Sequence, residues 1–109
     1  MNKAIYKKLI EVAQKQSTIT YSKIAPLAGL DMGQPPDRKT LGDLLCEISA
    51  YEHENKRPLL SAVVIRDVGK RPGSGFFKFA KSIGQFDGRD ELSFFAKELQ
   101  AVHQAWKGK

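Results

Sequence analysis

The stretch Arg57–Phe77, RPLLSAVVIRDVGKRPGSGFF, joins three kinds of sequence end to end. Leu59–Ile65 is continuous, apolar and rich in β-branched residues, which predicts a buried strand. Arg66–Gly75 holds three glycines, Pro72, Arg66, Lys70 and Arg71, which predicts a turn or extended loop. Phe76 and Phe77 then open FFKFAKSIG, which reads either as a return strand running into a short helix ended by Gly84 or, as favoured here, as helix with Ser74 as its cap. The loop lacks the Gly-x-x-x-x-Gly-Lys-[Ser/Thr] pattern, so it is not a nucleotide P-loop. As a wing, its backbone N–H groups and the two cations Lys70 and Arg71 would hold nucleic-acid phosphates. As a plain exposed turn, its Gly and Pro would only satisfy backbone geometry. Both readings stay open at this level.

Upstream of this stretch the pattern is helical. Ile5, Leu9, Val12 and Ala13 fall on one face of a first helix over residues 3–16, with lysines on the others. STIT interrupts it as a short strand. Thr20 or Ser22 caps a second short helix, YSKIAPLAG, closed by Gly29. LDMGQPPD is a loop, and Asp37 caps a third helix over 38–55 with Leu41, Leu44, Leu45, Ile48 and Tyr51 as its apolar positions. Downstream, Asp87 caps a last helix over about 89–107, whose stripe is Leu92, Phe95, Leu99, Val102 and Trp106. The order helix, short strand, helix, loop, helix, strand, basic loop is that of a winged helix-turn-helix with an added C-terminal helix, an α+β fold in one domain.

The totals agree with a single small domain. The chain has 109 residues, 41% hydrophobic and 28% charged, enough for one modest core. No run of about eighteen apolar residues exists to span a membrane. Lys7, Lys8 and Glu11 interrupt the N-terminal apolar residues, so no signal peptide is expected. With the lone Cys46, this points to a reducing cytoplasm. The net charge of +6 is uneven: residues 1–23 carry +4, residues 24–55 carry −4, residues 56–81 carry +6, and the rest sums to zero. A basic patch favours a polyanionic partner.

Several pieces resemble one family in the same order along the chain. TITYSKIAPLAG is similar to the Tyr-Gly-x-[Ile/Leu]-Ala segment that opens the winged-helix domain of the alkylguanine-DNA alkyltransferases and alkyltransferase-like proteins. KTLGDLL resembles their recognition helix, which opens Arg-x-Val-Gly. PLLSAVVI lies where they carry Pro-Cys-His-Arg-Val, and GSGFF where they carry a Gly-Gly-Tyr-type wing. The resemblance covers roughly residues 17–77. It implies that Tyr21 presses on a phosphate, that Lys39 stands where an arginine fills the gap left by a flipped base, and that Gly42 allows close packing near DNA. It also puts Leu59 or Leu60 at the nucleophile's position, followed by Ser61 and Ala62. Alkyl transfer needs a thiolate with a nearby base, so transfer activity is not expected.

The remaining chemistry-bearing residues suggest no catalytic set. Cys46, in LLCEIS beside the third helix's apolar stripe, reads as a small core residue. His53 and His103 lack partners at ligand spacing, so neither a metal nor a cofactor is expected. AYEHENK reads as a solvated helix end, and its acids pair with nothing at a defined spacing. Phe76, Phe77 and Phe79 read as core more than as base-stacking residues.

The expected function is therefore non-catalytic binding of duplex DNA, with no membrane partner. The expected contacts are Tyr21, Ser22, Lys23, Arg38, Lys39, Thr40, Lys70, Arg71 and Ser74. The alternative is a protein-interaction module, such as an inhibitor, an immunity protein or a phage anti-defence factor. It is supported by Asp43, Glu47, Glu52 and Glu54 on the third helix, which phosphate would repel.

Overall fold

Leu59–Ile65 lies at the centre of the molecule, and no residue in it is more than 7% exposed. In the computed structural model, which describes residues 1–109, it is not the continuous strand its composition predicts. Leu60–Val63 winds into a 3-10 turn, and only Val64–Ile65 extend as strand β2. The reason is a shortage of strand partners. The sole neighbour is β1, Ile19–Thr20, which pairs in parallel with register Ile19–Val64 and Thr20–Ile65. Beyond that register the buried backbone must find other acceptors and donors. Ala62 N–H donates to Leu59 C=O at 3.0 Å. Ser61 N–H donates to Ser49 Oγ at 3.2 Å, and Leu59 N–H to Glu98 Oε2 at 2.8 Å.

Helices surround this segment. They are α1 (Lys3–Gln14), α2 (Tyr21–Ile24) running into a 3-10 turn at Ala25–Ala28, α3 (Pro35–Glu54), α4 (Ser74–Ser82) and α5 (Glu91–Trp106). With the small sheet this is an α+β arrangement. α1, α3 and α5 all pack on the central turn. Helix α1 buries the expected Ile5, Leu9, Val12 and Ala13, and Asn2 caps it by accepting from Ile5 N–H at 2.9 Å. No helix is long and apolar enough to cross a membrane.

Three helix starts differ from expectation. α3 begins at Pro35, not after an Asp37 cap. Pro35 and Pro36 fill its first turn, where a missing N–H costs nothing. Asp37 instead accepts from Asp31 N–H at 2.9 Å and braces the preceding loop. α4 begins with Ser74 itself, and Gly73 holds the cap position without a side-chain bond. α5 is capped by Asp90, which accepts from Ser93 N–H at 3.0 Å, while Asp87 accepts from Arg89 N–H. On α5, Phe95 and Val102 are buried, but Leu92 is 59% exposed and lies outside the core stripe.

The end of α3 is not solvated throughout. Glu52 is 0% exposed. Its carboxylate is held by Arg57, with Nη2 2.7 Å from Oε2 and Nε 3.1 Å from Oε1, and Tyr6 Oη donates to Oε2 at 3.0 Å. The Arg57 guanidinium also lies 5.7 Å from the Tyr51 ring centre and 5.8 Å from that of Trp106. A helix-period count of apolar residues does not see this position, because the group that occupies the buried face is charged.

Candidate functional site

A cleft of about 710 Å³ opens between the N-terminal half of α3 and the loop 66–73 that joins β2 to α4. Its wall on one side carries Arg38, Lys39, Gly42, Asp43 and Cys46 from α3. On the other stand Arg66, Asp67, Gly73 and Ser74, with Tyr21 and Ser22 between. Ser61 and Phe76 also line it.

The loop is fixed at both of its ends. Arg66 N–H donates to Arg71 C=O at 2.9 Å and closes the turn. Ser22 Oγ donates to the Asp67 carboxylate at 3.2 Å. Gly73 N–H donates to Tyr21 Oη at 2.7 Å. Pro72 is fully buried and pins the returning arm. Gly69, at φ 92°, and Lys70, at φ 53°, turn the chain through left-handed conformations, which glycine adopts without a steric cost. The loop leads into α4 and does not return as a strand.

Tyr21 uses its oxygen to accept from Gly73, so its own hydrogen has no protein acceptor and is available to the cleft. Burial raises the phenol's pKa, against a smaller lowering by the Gly73 bond and Arg66. It is therefore a neutral donor at neutral pH. Ser61 is 6% exposed and pairs with Ser49, Oγ to Oγ at 2.6 Å. Leu59 and Leu60, expected at the nucleophile's position, are both in the core. Ser61 is the residue of this segment that reaches the cleft, because a 3-10 turn and not a strand presents it.

Cys46 also lines the cleft, half-buried. Burial and then the nearby Asp43 carboxylate push its thiol above the ordinary value, the opposite of what a nucleophile needs. No group of three His, Cys, Asp or Glu side chains is placed to hold a metal.

Of the nine expected contacts, five line this cleft: Tyr21, Ser22, Arg38, Lys39 and Ser74. Lys23, Thr40, Lys70 and Arg71 do not. Thr40 is exposed on α3, and its Oγ1 donates back to Pro36 C=O of the same helix at 3.1 Å. Lys70 is exposed on the loop. Arg38 Nε donates to Met32 C=O at 2.8 Å, and Lys39 pairs with Asp43 at 3.0 Å. Arg66 and Ser61 line the cleft although sequence reasoning passed over both. Arg66 was legible as the cation directly after the apolar segment; Ser61 carried no signal, because its partner Ser49 lies on another element. Gly42 borders open space, where a Cβ would meet nothing within 4 Å.

The acids of α3 are largely spoken for within the fold. Asp43 pairs with Lys39, Glu47 lies 3.2 Å from the Met1 amino group, and Glu52 is buried against Arg57. Compared with known protein families, curated proteins and solved structures, the chain matches none.

Proposed function

We propose that this protein is a non-catalytic DNA-binding domain of winged-helix type, similar in mode to the alkyltransferase-like proteins. The observation that carries the reading is the cleft between α3 and the braced loop, edged by Arg38, Lys39 and Arg66, with Lys70 and Arg71 farther along the loop. Cations on two separate elements flank one concavity, which suits a polyanionic backbone passing over it. Its volume lies within the range of about 300–1,000 Å³ usual for ligand pockets. A base swung out of the duplex would enter it past the Tyr21 hydroxyl. The raised Cys46 pKa and the serine at position 61 argue for binding without alkyl transfer.

The protein-partner alternative drew its support from the acids of α3. Of those four acids, Glu52 is buried against Arg57, while Asp43 and Glu47 form pairs at the surface. The DNA reading therefore rests on the cations that flank the cleft.

The test is fluorescence anisotropy with a labelled duplex, plain and carrying an alkylated guanine, at two salt concentrations. Binding should weaken steeply with salt, by a slope of about 0.9 per neutralised phosphate. A Lys70→Glu/Arg71→Glu variant should lose it. Preference for the alkylated duplex supports the base-accepting cleft. No binding at low salt overturns the proposal and returns attention to a protein partner.

A further inference from the structure

Val68 stands out at the tip of the braced loop. It is 85% exposed, the most exposed large hydrophobic residue of the chain. A lone exposed apolar residue is ordinary on a protein surface. This one is carried by a loop whose every arm is tied. Arg66 bonds to Arg71 across its base, Asp67 is held by Ser22, Gly73 is held by Tyr21, and Pro72 is buried. The left-handed residues Gly69 and Lys70 follow directly and turn the chain back, which leaves Val68 at the apex. Its neighbours Arg66, Lys70 and Arg71 are cations, and Asp67, one residue before it, lines the cleft.

We propose that Val68 is a wedge, pressed between the bases of an opened step in duplex DNA while the flanking cations hold the phosphates. This rests on the DNA reading above. Apolar wedges are how minor-groove and architectural proteins part stacked bases. The loop that carries it is already tied at both arms, so presenting the side chain carries little conformational cost. The family resemblance would give the gap-filling task to Lys39; that side chain is 80% exposed and pairs only at the surface with Asp43, so it stays free to hold a phosphate while Val68 fills the step. Val68 has no partner to give up. The residue before it, Asp67, lines the concavity that would take the freed base.

The experiment uses the full chain and a duplex carrying 2-aminopurine, whose fluorescence rises when it unstacks, with anisotropy on the same samples. Wild type should raise the fluorescence on binding. Val68→Ser should abolish the rise and weaken binding on the order of tenfold, the value of burying a valine side chain, with the salt slope unchanged. Val68→Leu should keep both signals. Circular dichroism checks that the variants fold, which an exposed loop position leaves intact. Wild-type binding with an undiminished rise and equal affinity in Val68→Ser overturns the wedge alone. A salt slope that falls with Val68→Ser also overturns it, because the loop would then be misplaced. Absence of wild-type binding at low salt overturns the DNA reading and the wedge together.

Discussion

The hydroxyl of Tyr21 accepts a 2.7 Å hydrogen bond from the backbone N–H of Gly73, 52 residues away in the chain. It joins the start of α2 to the residue before α4 and so fixes the far end of the loop that borders the cleft. The Tyr21 hydroxyl oxygen also lies 3.4 Å from where a Cβ on Gly73 would stand, so the approach is close. Tyr21→Phe keeps the ring's packing and removes the acceptor. The expected cost is about 1 kcal/mol, read from denaturant midpoints. Amide exchange at Gly73 should quicken relative to the helices.

Arg57 and Glu52 form the most consequential charge pair. The carboxylate is wholly buried, and the guanidinium is 32% exposed between Tyr51 and Trp106. The carboxylate in turn drives the Arg57 pKa upward, so the cation persists at any pH where the fold does. Arg57→Met strands a buried negative charge and should destabilise by about 3–5 kcal/mol. Glu52→Gln combined with Arg57→Met should cost less than Arg57→Met alone. Chemical denaturation of the three proteins decides it.

The serine pair predicts an asymmetry. Ser49 Oγ bonds both to Ser61 Oγ and to Ser61 N–H, whereas Ser61 Oγ bonds only to Ser49. Ser49→Ala therefore leaves a buried backbone donor unpaired and should cost about 2–3 kcal/mol. Ser61→Ala leaves that backbone bond in place and should cost about 1 kcal/mol. Equal costs in urea unfolding contradict this bonding.

The alkaline limb of stability should depend on two tyrosines. Burial is the main cause that raises Tyr6 and Tyr21 above the ordinary 10.0, with the Glu52 carboxylate adding to the rise at Tyr6. A raised folded value means that the folded state prefers the neutral phenol. The contribution is complete below pH 10.0 and is lost as pH climbs through the raised values. Unfolding midpoints should fall above that pH, and the fall should be shallower in Tyr6→Phe and Tyr21→Phe. Tyrosinate absorbance should appear later in the folded protein than in the unfolded chain.

Reading the sequence went furthest where structure is local. The 3.6-residue spacing of Ile5, Leu9, Val12 and Ala13 identified α1 and its buried face together. Gly29 closes the turn after α2 in a left-handed conformation, φ 69°, as a glycine there predicts. Five of nine chosen contacts share one cleft: Tyr21–Ser22 and Ser74 open helices, and Arg38–Lys39 lie in the N-terminal part of α3. The cap residues themselves were harder to choose. Asp37 lies inside a helix that Pro35 already opens after Gln34, and Asp87 had a better-placed competitor in Asp90.

What the sequence determined by itself was which segments are helical, that Leu59–Ile65 is buried, and that a basic, glycine-bearing loop follows it. Periodicity, apolar content and turn chemistry are properties of neighbours along the chain, and they suffice for that much. Only the tertiary structure decided that Leu60–Val63 is a turn, that Glu52 is buried, and that Ser61 faces the cleft. Each depends on a partner supplied from elsewhere: β1 offers only two residues for pairing, Arg57 neutralises the carboxylate, and Ser49 receives the backbone of Ser61. A buried polar or unpaired group is stable only when such a partner is in place, and its presence is settled by how the elements pack, not by the residues beside it in sequence.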